Sequence, residues 1–112
     1  MLQALIAVVA VCVLVAMSLR ANTRFSGSER LPMQWTLSGS VNWTAPRAIA
    51  LAFTPATAAV VLTVTAALTT YGTPRPGQEG FEIPVMLFVA IVFVGVHWLH
   101  LRLIARSLGK RG

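Results

Sequence analysis

Along the chain, hydrophobic and polar positions separate into three long apolar runs divided by two polar segments. The first run, Met1–Leu19, reads MLQALIAVVAVCVLVAMSL and carries no charge. As a helix rising 1.5 Å per residue it nearly covers the roughly 30 Å of a bilayer's hydrocarbon core. No Lys or Arg precedes Arg20, so the positive opening of a cleaved signal peptide is missing and a retained helix is expected. The second run, Ala48–Thr70, is rich in Ala and Thr, and the third spans Ile83–Ile104. The expected fold class is therefore an all-α membrane protein. Residues 1–112 form a single domain with helices at about 1–19, 48–70 and 83–104, a first loop at 20–47 and a connector at 71–82.

Two details refine the helices. Pro55 lies inside the second run and removes one backbone hydrogen bond, which predicts a kink near Ala52–Thr54. Thr54 and Thr57 are the expected donors to the freed carbonyls. Ala52, Ala56, Ala59, Thr63 and Ala67 recur at three- or four-residue spacing, and small residues so spaced let a neighbouring helix approach closely. Glu82 and Pro84 suit the opening of the third helix, where the dipole favours a carboxylate and a missing N–H costs little.

The first loop changes pattern partway. Arg20–Arg30 is polar and reads as irregular. From Leu31 the apolar residues alternate at Leu31, Met33, Trp35 and Leu37, then at Val41 and Trp43, around a Ser38-Gly39-Ser40 break. Period-two alternation about a Gly-containing break reads as a β-hairpin lying at the membrane interface. Leu37 would then face Val41, and Trp35 would face Trp43, with Gln34, Thr36 and Asn42 on the other side. An extended interfacial loop anchored by the two tryptophans is the alternative. Pro32 restricts the first strand to an edge. The connector, YGTPRPGQEGF over Tyr71–Phe81, is rich in helix and strand breakers.

Composition supports the membrane reading: 56% of residues are hydrophobic and 11% charged, against about 25% charged in soluble domains. The net charge of +6 does not suggest nucleic acid, because the basic residues flank the apolar runs and form no stacking face. With three crossings, Arg20, Arg24, Arg30, Arg47, Arg102, Arg106, Lys110 and Arg111 fall on one side and Arg75 alone on the other. The positive-inside rule then places the N-terminus outside and the C-terminus in the cytoplasm, as expected for a bacterial inner-membrane protein.

Leu31-Pro32, Gln34-Trp35, Ser38-Gly39, Asn42-Trp43 and Pro46-Arg47 form a pattern that resembles the loop of the domain-of-unknown-function family 1648 (DUF1648), found in SdpI-like membrane proteins. The resemblance covers Leu31–Arg47 and the flanking helices. It implies an interaction loop built on Pro32, Gln34, Trp35, Gly39, Asn42, Trp43 and Arg47, and a role akin to immunity or signal-sensing factors. Gln34 stands where the family has histidine, Thr36 where it has asparagine and Asn42 where it has aspartate, so chemistry needing an imidazole or a carboxylate does not carry over.

Candidate chemistry is sparse. His97 and His100, three apart on a helix, share one face and are weak candidates for metal ligands; with Trp98 between them, an interfacial placement is expected. Cys12 has no intrachain partner and reads as a small packing residue. No nucleophile–base pair, phosphate loop or paired carboxylates are legible, and no acid lies inside a span. The expectation is a non-enzymatic protein without a cofactor, whose partners are the bilayer and a second copy or a larger membrane protein. Three roles follow: a structural or accessory subunit, an SdpI-like protein binding a peptide or regulator through 31–47, or a subunit of an oligomeric transporter.

Overall fold

The computed structural model describes residues 2–72 and 80–111, with side chains through 109. The central part of the expected turn-rich connector, including Arg75, lies outside the described residues. The order of elements is α1 (Leu2–Arg24), β1 (Arg30–Trp35), β2 (Val41–Pro46), α2 (Arg47–Tyr71) and α3 (Glu82–Arg111). The molecule is mostly helical, and α1, α2 and Glu82–Gly109 of α3 are each long and apolar enough to cross a membrane.

Shared burial gives the helix directions. One apolar cluster joins Ala7, Ala10 and Leu14 of α1 to Ala58 and Leu62 of α2 and to Met86 and Ala90 of α3. A second joins Ala21, Phe25, Leu31, Ala45, Ala50, Leu51 and Ile104. Residue numbers rise from the first cluster to the second in α1 and α3 and fall in α2. Hence α1 and α3 run parallel, with α2 antiparallel to both. The buried polar residues Ser18, Thr54 and His97 fall between the clusters in the order of each helix. Large side chains such as Val8, Leu19, Phe53, Val60, Phe88 and Ile91 point outward, as lipid-facing positions do.

Both α1 and α3 run past the apolar spans that sequence defines. Residues 20–24 are helical, not irregular, because Ala21 and Phe25 bury against the hairpin and Phe25 N–H still donates to Ala21 O at 2.8 Å. On α3, Leu101, Ile104, Ala105 and Leu108 pack on the same cluster. The packing stripe of α2 also differs from expectation. Leu51, Thr54, Pro55, Ala58 and Leu62 are buried, whereas Ala52, Ala56, Thr63 and Ala67 are exposed and Ala59 is half-buried. A shift of one residue turns a helix face by about 100°, and here the inward stripe combines Leu51 and Leu62 with Thr54, Pro55 and Ala58 while Phe53 and Val60 stay outside. Cys12 likewise lies on the exposed side of α1 instead of packing inside the bundle.

The hairpin forms, in a register other than the one its alternation suggests. Thr36 N–H donates to Ser40 O at 2.8 Å, and Gly39 N–H to Thr36 O at 2.9 Å. The three-residue loop is therefore Leu37-Ser38-Gly39, not Ser38-Gly39-Ser40. This geometry needs positive φ at its third position, and only Gly39, at φ +89°, meets that need cheaply. Trp35 consequently opposes Val41, Gln34 opposes Trp43, and Leu37 sits exposed at the tip. Register irregularities on both sides of Gln34 leave Met33 and Asn42 as extra residues on their strands. They turn Trp35 inward and Trp43 outward, so the two tryptophans do not share a face. At the open end, the Arg30 guanidinium donates to Thr44 Oγ1 (2.9 Å) and Thr44 O (2.8 Å).

Gly39→Ala leaves room for the added methyl but forces an L-residue into the left-handed region. It should weaken docking of the hairpin by about 1 kcal/mol, while Gly39→Asn should cost less. Tryptophan fluorescence through a denaturant titration in detergent measures this, and an alanine variant as stable as wild type would contradict the Leu37–Gly39 loop.

Candidate functional site

Beneath the hairpin, the polar layer follows from Pro55. In α2 the proline lacks the N–H that Leu51 O, four residues earlier, would otherwise accept. An unsatisfied carbonyl in an apolar bundle costs several kcal/mol. The expected donors were Thr54 and Thr57, but Thr57 Oγ1 donates to Phe53 O at 2.8 Å. The donor to Leu51 O is Ser18 Oγ of α1, at 2.7 Å. His97 Nε2 of α3 lies 2.8 Å from the same Ser18 oxygen. A serine hydroxyl has one hydrogen, and that hydrogen is directed at Leu51 O; Nε2–H of His97 therefore donates to Ser18 Oγ. Nδ1 is left as a buried acceptor without a partner. The chain His97 → Ser18 → Leu51 O thus binds all three helices at one level.

Ser18 and His97 are a serine–imidazole pair that sequence spacing does not reveal, since 79 residues separate them. At 9% and 0% exposure, neither can meet a substrate unless the helices part. The arrangement works as a tether. His97 is accordingly a core residue and not the interfacial one its neighbour Trp98 suggests.

His100, one turn further along α3, faces the hairpin. Its Nε2–H donates to Pro32 O at 3.3 Å, and its ring meets Trp35 edge-on with centroids 5.8 Å apart at 80°. Trp35 Nε1–H reaches Ser107 Oγ at 2.7 Å. The two histidines thus serve different partners. Among the described residues no three His, Cys, Asp or Glu side chains come together as a metal-sized group.

The remaining residues of the predicted interaction loop divide into an inner and an outer set. Leu31 and Pro32 of β1 are buried on the hairpin's inner face, with Trp35 half-buried beside them. On the outer side Gln34 Oε1 accepts both Asn42 Nδ2–H (3.1 Å) and Trp43 Nε1–H (2.9 Å). Gln34, Asn42 and Trp43 are exposed, as is Leu37 at the turn that Gly39 makes possible.

Arg47 occupies an unusual place: a cation at the first residue of a helix, where the dipole is unfavourable, with no acidic residue in that turn. Its guanidinium is committed elsewhere. It donates to Asn22 Oδ1 (2.8 Å), Ser26 O (3.0 Å) and Ser28 O (2.7 Å), and its backbone N–H donates to Glu29 O at 2.8 Å. Arg47 therefore satisfies carbonyls of the segment that leaves α1 and fixes the base of the hairpin against it. Sequence offered one usable signal for the buried tether: an intrahelical proline demands a donor, and Ser18 is the one hydroxyl in the first apolar run.

No protein-family model, curated protein or solved structure matches the chain.

Ser18→Ala removes the donor to Leu51 O and the acceptor for His97 together, and should destabilise the bundle by about 1–3 kcal/mol. Pro55→Ala restores an N–H to Leu51 O, so in that background the same serine change should cost about 1 kcal/mol less. A double-mutant cycle in detergent, followed by loss of helical circular dichroism, checks the coupling. Additive effects would refute the proline–serine link. Arg47→Ala should expose residues 22–29 to proteolytic nicking under conditions where wild type is intact, whereas an unchanged cleavage pattern would show that the clamp is dispensable.

Proposed function

We propose that the chain is a non-enzymatic integral membrane protein that displays its docked hairpin to a partner at the cytoplasmic face of a bacterial-type inner membrane. One observation carries the reading. The hairpin's inner face is fixed by Trp35–Ser107, His100–Pro32 and the Arg47 clamp, while its outer face leaves Leu37, Trp43, Gln34 and Asn42 exposed. A rigid support beneath exposed aromatic and amide groups suits recognition, because little ordering entropy remains to oppose binding. An exposed tryptophan with an amphipathic ring is a frequent interface anchor. The molecule's 55 Å long axis exceeds the roughly 30 Å hydrocarbon slab, which leaves room for the hairpin end beyond it.

A second reading takes the same face as the binding site for a peptide or regulator, in the manner of an SdpI-like immunity or sensing protein. The resemblance of Leu31–Arg47 to DUF1648 loops supports it. Here the Gln34 amide, bonded to Asn42 and Trp43, replaces the family's imidazole, so recognition would rest on amide hydrogen bonds and ring contact and not on a titrating group.

A photo-crosslinking residue at position 37 or 43 should yield protein adducts in membranes, while one at Val60, on the exposed side of α2, should yield lipid adducts. Lipid adducts alone at all three positions would overturn the display role. A C-terminal reporter should be active in the cytoplasm, and activity only on the far side would reverse the orientation.

A further inference from the structure

At the end of the bundle that carries the hairpin, α1 and α3 leave a cleft of about 740 Å³ between them. Arg20 and Arg24 line one wall, Arg102 and Arg106 the other, over a floor that includes Met17 and Leu101. Each wall holds two arginines four residues apart, a like-charge spacing that disfavours a helix. The two pairs face one another, and no carboxylate lines the cleft among the described residues. Arg24 lies in the last turn of α1, where the helix dipole favours a cation, but Arg102 and Arg106 lie more than a turn before the end of α3. The dipole does not explain why four arginines line one cavity. Two of them are also held in place by aromatic faces: the Arg24 guanidinium carbon lies 5.5 Å from the Phe25 ring centroid, and that of Arg102 lies 5.3 Å from the Trp98 centroid. Guanidinium forks so placed suit phosphate oxygens.

We infer that this cleft binds the phosphate of an anionic phospholipid, one molecule per chain. The shared chemistry is a phosphate oxyanion, which a soluble phosphoester also carries. The lipid is favoured because the cleft is amphipathic: its lining mixes four arginines with Met17, Phe25, Trp98 and Leu101, and Val13 and Ile91, one and two turns back on the same faces of α1 and α3, are exposed apolar residues against which an acyl chain can lie. Basic clefts between helices near the cytoplasmic surface take anionic headgroups in this way. The inference rests on the membrane placement proposed above, and resistance to alkaline extraction from membranes tests that placement separately.

The experiment is native mass spectrometry of the delipidated full chain in detergent with added phosphatidylglycerol or phosphatidylcholine. One phosphatidylglycerol should bind at least tenfold tighter than phosphatidylcholine and weaken in high salt. Arg20→Gln with Arg102→Gln should reduce that affinity about 25-fold, at roughly fivefold per arginine near a bilayer surface, and Arg24→Gln with Arg106→Gln should act alike. Equal binding of the two lipids, no loss in a double variant that keeps its helical circular dichroism, or indifference to salt would overturn the site. If a double variant does not fold, the lipid preference and salt response of the wild type decide. Excess glycerol phosphate should fail to displace the lipid; displacement would reassign the cleft to a soluble phosphoester and overturn the lipid.

Discussion

The bundle is organised around the carbonyl that Pro55 leaves without a donor. Between apolar helices in a membrane no hydrophobic force holds one against another, so packing and interhelical hydrogen bonds decide which faces meet. Leu51 O creates a demand at one level of α2, Ser18 of α1 meets it, and His97 of α3 joins through the same hydroxyl. With that contact made, the rotation of each helix is fixed. It is why Leu51, Pro55, Ala58 and Leu62 face inward and the alternative stripe through Ala52 and Ala56 faces out. It also separates the two apolar clusters, the upper a plain helix contact and the lower a seat for the hairpin.

The hairpin depends on that seat. A two-stranded hairpin is marginal alone, and among the described residues this one has no third strand. Its stability comes from Leu31, Pro32 and Ala45 buried against the helices, from Trp35 bonded to Ser107, and from Arg47, which ties its base to the exit of α1. The same contacts lengthen α1 and α3 beyond their apolar runs. A cost accompanies this extension: the added turns bring Arg20, Arg24 and Arg106 onto one cleft with Arg102, and among the described residues no carboxylate lines it.

Hairpin and cleft lie at one end of the molecule but have different chemistry. The hairpin presents an indole, a leucine and two amides, groups that recognise shape and hydrogen-bond pattern. The cleft presents fixed positive charge over an apolar floor, which recognises an anion attached to a greasy chain. The two surfaces share their supports, since α1 and α3 line the cleft and also pack against the hairpin.

Sequence alone determined the three helices, because apolar runs of this length have one economical conformation once water is excluded. Its alternation pointed to a hairpin between the first two, with an extended interfacial loop as the alternative that only the structure removed, and it marked Trp35, Trp43, Gln34 and Arg47 as the residues of interest there. It did not determine the hairpin's register: the extra residues Met33 and Asn42 break the period on which the alternation rests, and the positive φ at Gly39 sets the loop one residue earlier. Nor did it reveal the Ser18–His97 contact, the inward stripe of α2 or the separate partners of His97 and His100. Those depend on how helices distant in the chain rotate against one another, and a hydrogen bond spanning 79 residues leaves no local period to read. The proline announced that a donor was needed; only the tertiary structure decided which hydroxyl supplied it.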